Sequence, residues 1–144
     1  MPRSRARSER GAAAVEFALV VPLLLLLVFA VISYGYLLSF RQALSQGASE
    51  GARAVAVEVD ANTGGADALA VIDGSLDSYG VTCASAAMTC EVSAPQRCGA
   101  EAEPLCVTVT LSYDYEADPL LPSFPGLGLV LPDRLSYTAV ARVS

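Results

Sequence analysis

The feature that most constrains this chain is an uncharged apolar run near its N-terminus. Residues 17–40 are 24 consecutive positions without a formal charge, and five of them in a row are leucine. At about 1.5 Å per residue, a helix of this length covers roughly 36 Å, which exceeds the hydrocarbon core of a bilayer at about 30 Å. The run therefore predicts one membrane-spanning helix.

The charges on either side of the run predict its orientation. The N-terminal arm over residues 1–11 holds four arginines and one glutamate, Glu9. The positive-inside rule then places the N-terminal arm in the cytoplasm and the residues after Arg41 outside. A cleaved secretory signal is the alternative, but its apolar core would have only about 7–15 residues. The longer run favours a retained anchor.

The composition of the outer part excludes several functions. Residues 42–144 hold 4 arginines and 13 acidic residues, a net charge of −9, which argues against binding to nucleic acid. The chain has no lysine and no histidine, so it lacks the commonest general base and metal ligand. We expect no enzyme activity, small-molecule substrate, cofactor or metal. The carboxylates that an extracytoplasmic enzyme could use are Glu101, Glu103, Asp114, Glu116 and Asp118.

Four cysteines lie close together in the predicted outer part. They are Cys83, Cys90, Cys98 and Cys106. An even number of cysteines in a small exported domain predicts two disulfides, whose pairing the sequence leaves open among three possibilities. Free or intermolecular thiols are one alternative. A structural zinc site is another, but it usually contains C-x₂₋₄-C pairs, which this chain lacks.

A single long helix is predicted to begin near Ala12 and to continue beyond the membrane. Pro22 lies inside this helix and would kink it. After Phe40, small and apolar residues recur every three or four positions, which predicts an amphipathic continuation to about residue 57. The predicted segments are a basic arm over 1–11, a transmembrane helix over 12–40 and its extracytoplasmic continuation over 41–57.

Residues 58–144 are predicted to form one small α+β domain. A short helix is expected over 67–79, and a polar loop over 94–104 and an apolar loop over 118–132 separate the later elements. Alternation of apolar and polar residues predicts antiparallel strands at 89–93, 105–115 and 135–143. We expect the long N-terminal helix to pack on this small antiparallel sheet.

The start of the apolar run carries a recognisable motif. Residues 11–17 read GAAAVEF after a basic arm, Pro22 follows, and residues 50–53 read EGAR. This combination resembles prepilin-peptidase substrates and is similar to the TadE family, which are pilin-like minor proteins of the Tad (Flp) pilus machinery. The sister family TadF is similar at the N-terminus. The chain departs from the family pattern at Ser33, where an acidic residue is common, and in its four cysteines.

The resemblance implies roles for the first residues of the run. A prepilin peptidase would cut between Gly11 and Ala12. Glu16, with Phe17 beside it, would then pair with the N-terminal ammonium of a neighbouring subunit. A carboxylate in the membrane is costly, and a partner charge offsets that cost only when the two helices are in register. The alternative is that Glu16 extends to the cytoplasmic headgroups.

Two functions remain open from the sequence. The resemblance implies a minor pilin or pseudopilin in the bacterial cytoplasmic membrane, working with prepilin peptidase, other pilin-like subunits and Tad assembly-platform proteins. Pilus formation and cell adhesion would follow from that role. The alternative is an unrelated single-pass, membrane-anchored extracytoplasmic binding module. Only the first function predicts a processing defect when Gly11 or Glu16 is replaced.

Overall fold

A computed structural model describes residues 5–57, 64–99, 104–121 and 131–143 of the chain. The chain divides into two compact units, Met1–Tyr36 and Leu37–Ser144. The elements are the helices α1 (Arg5–Val57) and α2 (Gly64–Leu76), and the strands β1 (Met88–Val92), β2 (Gln96–Arg97), β3 (Leu105–Asp114) and β4 (Arg134–Arg142). The predicted α+β class is confirmed.

Helix α1 is longer at its N-terminus than the sequence pattern predicts. It begins at Arg5, ahead of the expected start near Ala12, and ends at Val57, where its end is expected. Residues 5–10 are arginine, alanine, serine and glutamate, which include good helix formers and neither glycine nor proline. The basic arm is therefore helical from Arg5 onward.

Helix α2 and the turn after it replace the single helix predicted over 67–79. The α-helix begins earlier, at Gly64, and a 3₁₀ turn over Asp77–Tyr79 follows it directly. Gly80 then ends the turn in the left-handed conformation (φ 67°), which a residue without a Cβ adopts at little cost. Ala68, Ile72 and Leu76 recur every fourth residue and form the buried stripe of α2.

The sheet is antiparallel, and β3 is its central strand. Strand β4 pairs along β3 from Cys106 to Asp114, which leaves the other edge of β3 for β1 and β2. The predicted polar loop over 94–104 is wrong at β2, which pairs with the start of β3. Pro95 has no N–H group to donate to β3, so the pairing of β1 with β3 stops before this residue. Pairing with the same edge of β3 resumes at β2.

The core of the Leu37–Ser144 unit lies between the sheet, α2 and the C-terminal part of α1. Alternate residues of β3 point into it, namely Val107, Val109, Leu111 and Tyr113. From α1, the Phe40 ring meets the Tyr113 ring edge-on, with 5.0 Å between their centroids. A Cβ added to Gly47 would lie 3.5 Å from Leu111, so α1 runs close to the strand. Most of the predicted apolar loop, residues 122–130, lies outside the described residues.

Candidate functional site

The residues of the predicted processing site lie in the exposed N-terminal part of α1. Gly11, Ala12, Glu16 and Phe17 are all exposed, and Phe17 keeps 70% of its surface. No heavy atom lies within 4 Å of a Cβ built on Gly11, apart from neighbouring helix backbone. The structure therefore presents this segment without any covering element from the described part of the chain.

Glu16 is a carboxylate among large apolar neighbours. Within one helical turn of Glu16, the exposed large side chains are Val15, Phe17, Leu19 and Val20. No residue in the described ranges forms an ion pair or a hydrogen bond with the Glu16 side chain. In an apolar medium this carboxylate requires a partner from outside the chain or access to lipid headgroups.

The segment after Glu16 has the surface of a membrane anchor. Within Gly11–Val57, the most apolar 18-residue window has a mean hydropathy of 2.9, and none of it is buried in the protein. Large side chains are exposed on every face, including all five leucines of 23–27. A core helix of similar composition would be covered by its own fold. Among the described helices, this is the one candidate membrane span.

Pro22 lies inside this anchor segment, within the continuous helix α1. A proline has no N–H group, so its position in the helix lacks one backbone hydrogen bond. The kink predicted at Pro22 stays a prediction.

The EGAR residues occupy two different surfaces of α1. Gly51 and Ala52 are buried, and a Cβ on Gly51 would lie 2.9 Å from two side-chain atoms of Ile72. Any side chain at this position would displace Ile72, so α1 and α2 cross closely here. Glu50 and Arg53 are exposed instead. Two residues of the motif therefore pack in the core, and its two charged residues lie on the surface.

Both predicted disulfides are present, and the structure resolves their pairing. Cys83 bonds to Cys90, and Cys98 bonds to Cys106. The first joins the turn before β1 to the middle of that strand. The second joins the end of β2 to the start of β3, near the hydrogen bond from the Cys98 N–H to the Pro104 carbonyl. Each bridge therefore closes a short loop. The first ties the preceding turn to β1, and the second ties the end of β2 to β3.

Sequence reasoning missed Asp73, which connects α2 to the first disulfide. Its Oδ1 accepts a hydrogen bond from the Cys83 N–H at 2.7 Å. An acidic residue in the middle of a short helix gives no signal of this role, because its partner is a backbone group ten residues later. Asp73 therefore holds the start of the disulfide loop against α2.

Asp114, one of the carboxylates considered for an enzymatic alternative, stabilises the turn after β3. Asp114 Oδ1 accepts a hydrogen bond from the Ala117 N–H, and its Oδ2 lies 3.8 Å from the Arg134 guanidinium. The carbonyl of Asp118 accepts a hydrogen bond from the Tyr113 hydroxyl. Asp114 and Arg134 also border an open depression of about 290 Å³ on the outer face of the sheet. Glu101 and Glu103 lie outside the described residues.

These observations define an α+β protein with one candidate membrane helix at its N-terminus and a small disulfide-bonded domain. The family model for TadE-like proteins matches residues 11–53, so the predicted resemblance is confirmed: the chain is TadE-like over this segment. The match does not distinguish TadE from TadF. No curated protein and no solved structure shows a significant match. The TadE-like family implies involvement in Tad pilus assembly.

Proposed function

We propose that this protein is a minor pilin-like subunit of a Tad-type pilus and secretion system. It is held in the bacterial cytoplasmic membrane by α1, with its N-terminus in the cytoplasm and its disulfide-bonded domain outside. It works with prepilin peptidase, other pilin-like subunits and the Tad assembly platform. Its contribution is structural, not catalytic.

The observation that carries this proposal is the extent of the TadE-like match. The matched residues 11–53 include the glycine at the proposed cut, the carboxylate Glu16, the apolar anchor and the EGAR segment. The same stretch is one uninterrupted helix in the structure. A processing motif and an assembly helix are therefore combined in one element, which a simple membrane-anchored binding module would not require.

The two disulfides support an extracytoplasmic location for the domain. Disulfides persist in oxidising compartments and are rare in the cytoplasm. All four cysteines lie after the apolar run, in the part that the arginine distribution assigns to the outside. The bonds and the charges thus support the same orientation.

Gly11→Ser tests the proposed processing. In cells with an active prepilin peptidase, the wild-type membrane fraction should yield a protein whose N-terminal residue is Ala12. The variant should keep the arm, because the residue before the cut is changed. It should still insert in the same orientation, since the four arginines remain.

N-terminal sequencing and intact mass are the measurements. The matched control is Gly35→Ser, a glycine in the same helix that also has open space around it. It should be processed as the wild type is. A wild-type protein that keeps residues 1–11 in the presence of active peptidase would overturn the proposed function.

A further inference from the structure

The charged residues of the EGAR segment make no polar contact within the part of the chain that the structure describes. Gly51 and Ala52 are explained by close packing against α2. Glu50 and Arg53 are exposed, and their side chains form neither an ion pair nor a hydrogen bond with any described residue. The two opposite charges are separated by one helical turn and are nevertheless not paired with each other.

These two charges border an open apolar depression. It has a volume of about 300 Å³ and is lined by Glu50, Arg53, Ala54 and Val57 of α1 and by Val71 of α2. Val57 is 70% exposed and Val71 is 38% exposed, so its apolar part faces solvent. An exposed apolar patch with a polar rim is typical of a protein interface.

We propose that a second copy of this chain docks at this depression, with the two α1 helices parallel and related by a two-fold axis along them. A two-fold interface uses the same surface on both copies, so that surface must complement itself. This depression does so, because it carries one acid, one base and an apolar patch.

The spacing of the two charges fits a parallel arrangement. In a parallel helix pair, a residue at the interface lies against its own counterpart and against residues three or four positions away on the other helix. Glu50 of one copy then lies within reach of Arg53 of the other, and the same pair forms a second time by symmetry. These two attractive pairs offset the repulsion between the two Glu50 side chains and between the two Arg53 side chains. Ala54 is small and lets the two backbones approach, while Val57 and Val71 become covered.

The parallel direction rests on the proposed function, in which all copies enter one membrane with the same orientation. In an antiparallel pair centred on Ala54, Glu50 and Arg53 would lie away from each other on opposite sides of the axis. Charge reversal therefore distinguishes the two arrangements.

Cysteine crosslinking of the full chain in membranes tests the contact. The native cysteines are bonded to each other, so Ala54→Cys adds one reactive thiol. Mild oxidation should give a species of twice the chain mass on a non-reducing gel. Thr138→Cys, exposed on the sheet face opposite the core, is the matched control and should stay monomeric.

Charge reversal in the Ala54→Cys chain tests the pairing. Glu50→Arg alone and Arg53→Glu alone each replace both attractive pairs by repulsive ones, and the dimer fraction should fall roughly fivefold. The double reversal should restore it. Arg41→Glu changes an exposed charge of α1 away from the depression and should leave the dimer fraction unchanged.

Three results would overturn the dimer: no crosslink at Ala54, a crosslink to a protein of another mass, or a double reversal that stays monomeric. Each is separate from failure of the proposed function, which is scored by the N-terminal residue. A chain that is cut at Gly11 but does not dimerise keeps the function and loses this inference. A chain that dimerises but keeps residues 1–11 supports this inference and contradicts the proposed function.

Discussion

The two parts of helix α1 differ in what surrounds their apolar side chains. Between Phe17 and Tyr36 the side chains are large and apolar on nearly every face, and almost all are exposed. Between Leu37 and Val57 only one face is buried, and toward its end that face is built from Ala48, Gly51 and Ala52. Large residues on all faces require an external apolar medium, whereas small residues on one face allow a neighbouring element to approach closely.

Removing a phenylalanine ring from each part should give the largest contrast. Phe40 is fully buried and lies edge-on to Tyr79 and Tyr113, with centroid distances of 5.1 and 5.0 Å. Phe40→Ala should lower the free energy of unfolding of the Leu37–Ser144 unit by about 3–5 kcal/mol, because it leaves a cavity in the core. Denaturant unfolding of the detergent-solubilised chain, followed by near-ultraviolet circular dichroism of the tyrosines, measures this.

Phe17→Ala is the matched control for that experiment. Its ring is 70% exposed and lies in the other compact unit, so the unfolding midpoint of the domain should not change. Equal losses of stability in the two variants would show that the division of α1 into an externally solvated part and a core part is wrong.

Breaking the disulfides should give the next largest effect, again confined to the domain. Replacing Cys83 and Cys90 together by serine should cost about 2–4 kcal/mol of stability, and the same holds for Cys98 and Cys106. The helix content of the anchor segment should be unchanged, since both bridges lie outside it. Denaturant midpoints and far-ultraviolet circular dichroism separate these two outcomes.

Mass spectrometry checks the pairing itself. Alkylation of the wild-type protein should add no label before reduction and four labels after it, because the described cysteines are all bonded. Free thiols in the unreduced protein, or one zinc ion bound per chain, would contradict the two bridges.

Replacing one glycine in each part of α1 tests the same comparison, with a smaller expected loss of stability. Gly51→Ala forces a methyl group to within 2.9 Å of Ile72, whose branched side chain has little freedom to move, so we expect a loss of about 1–3 kcal/mol. Gly35 has open space around it. Gly35→Ala should be neutral or slightly favourable to the helix. If thermal unfolding shows no difference between the two variants, the close approach of α1 to α2 is not needed for stability.

The sequence predicted what depends on local pattern. The length and apolar character of the anchor, the three main strands and the bonded state of the cysteines follow from hydrophobic runs, alternation and cysteine number. These are properties of neighbouring residues, and the structure agrees with them to within a few positions.

What the sequence could not predict depends on residues distant along the chain. Strand β2 forms inside a polar loop because β3 offers a free edge there. The disulfide pairing needs the strand register, and the contact of Gly51 with Ile72 needs the crossing of two helices. Asp73 has its role because the Cys83 N–H lies beside it. None of these partners can be read from local pattern.

Replacing Glu16 should change the stability of the domain least of all, but it should change assembly specifically. Glu16→Gln keeps the size of the side chain and removes its charge. The domain should unfold as in the wild type, and membrane insertion should be unchanged or slightly easier, since the cost of placing a charge in the membrane falls. If the carboxylate pairs with a neighbouring N-terminal ammonium, the variant should crosslink less to other pilin-like subunits and support fewer surface pili.

Glu9→Gln is the matched control, because it removes the same charge ahead of the proposed cut. That residue would be discarded with the arm, so assembly should not change. If Glu16→Gln assembles as well as Glu9→Gln does, the carboxylate only extends to the headgroups and does not set subunit register. A selective loss with Glu16→Gln would mean that the exposed part of α1 needs two different external partners, lipid for its leucines and a neighbouring subunit for its one charge.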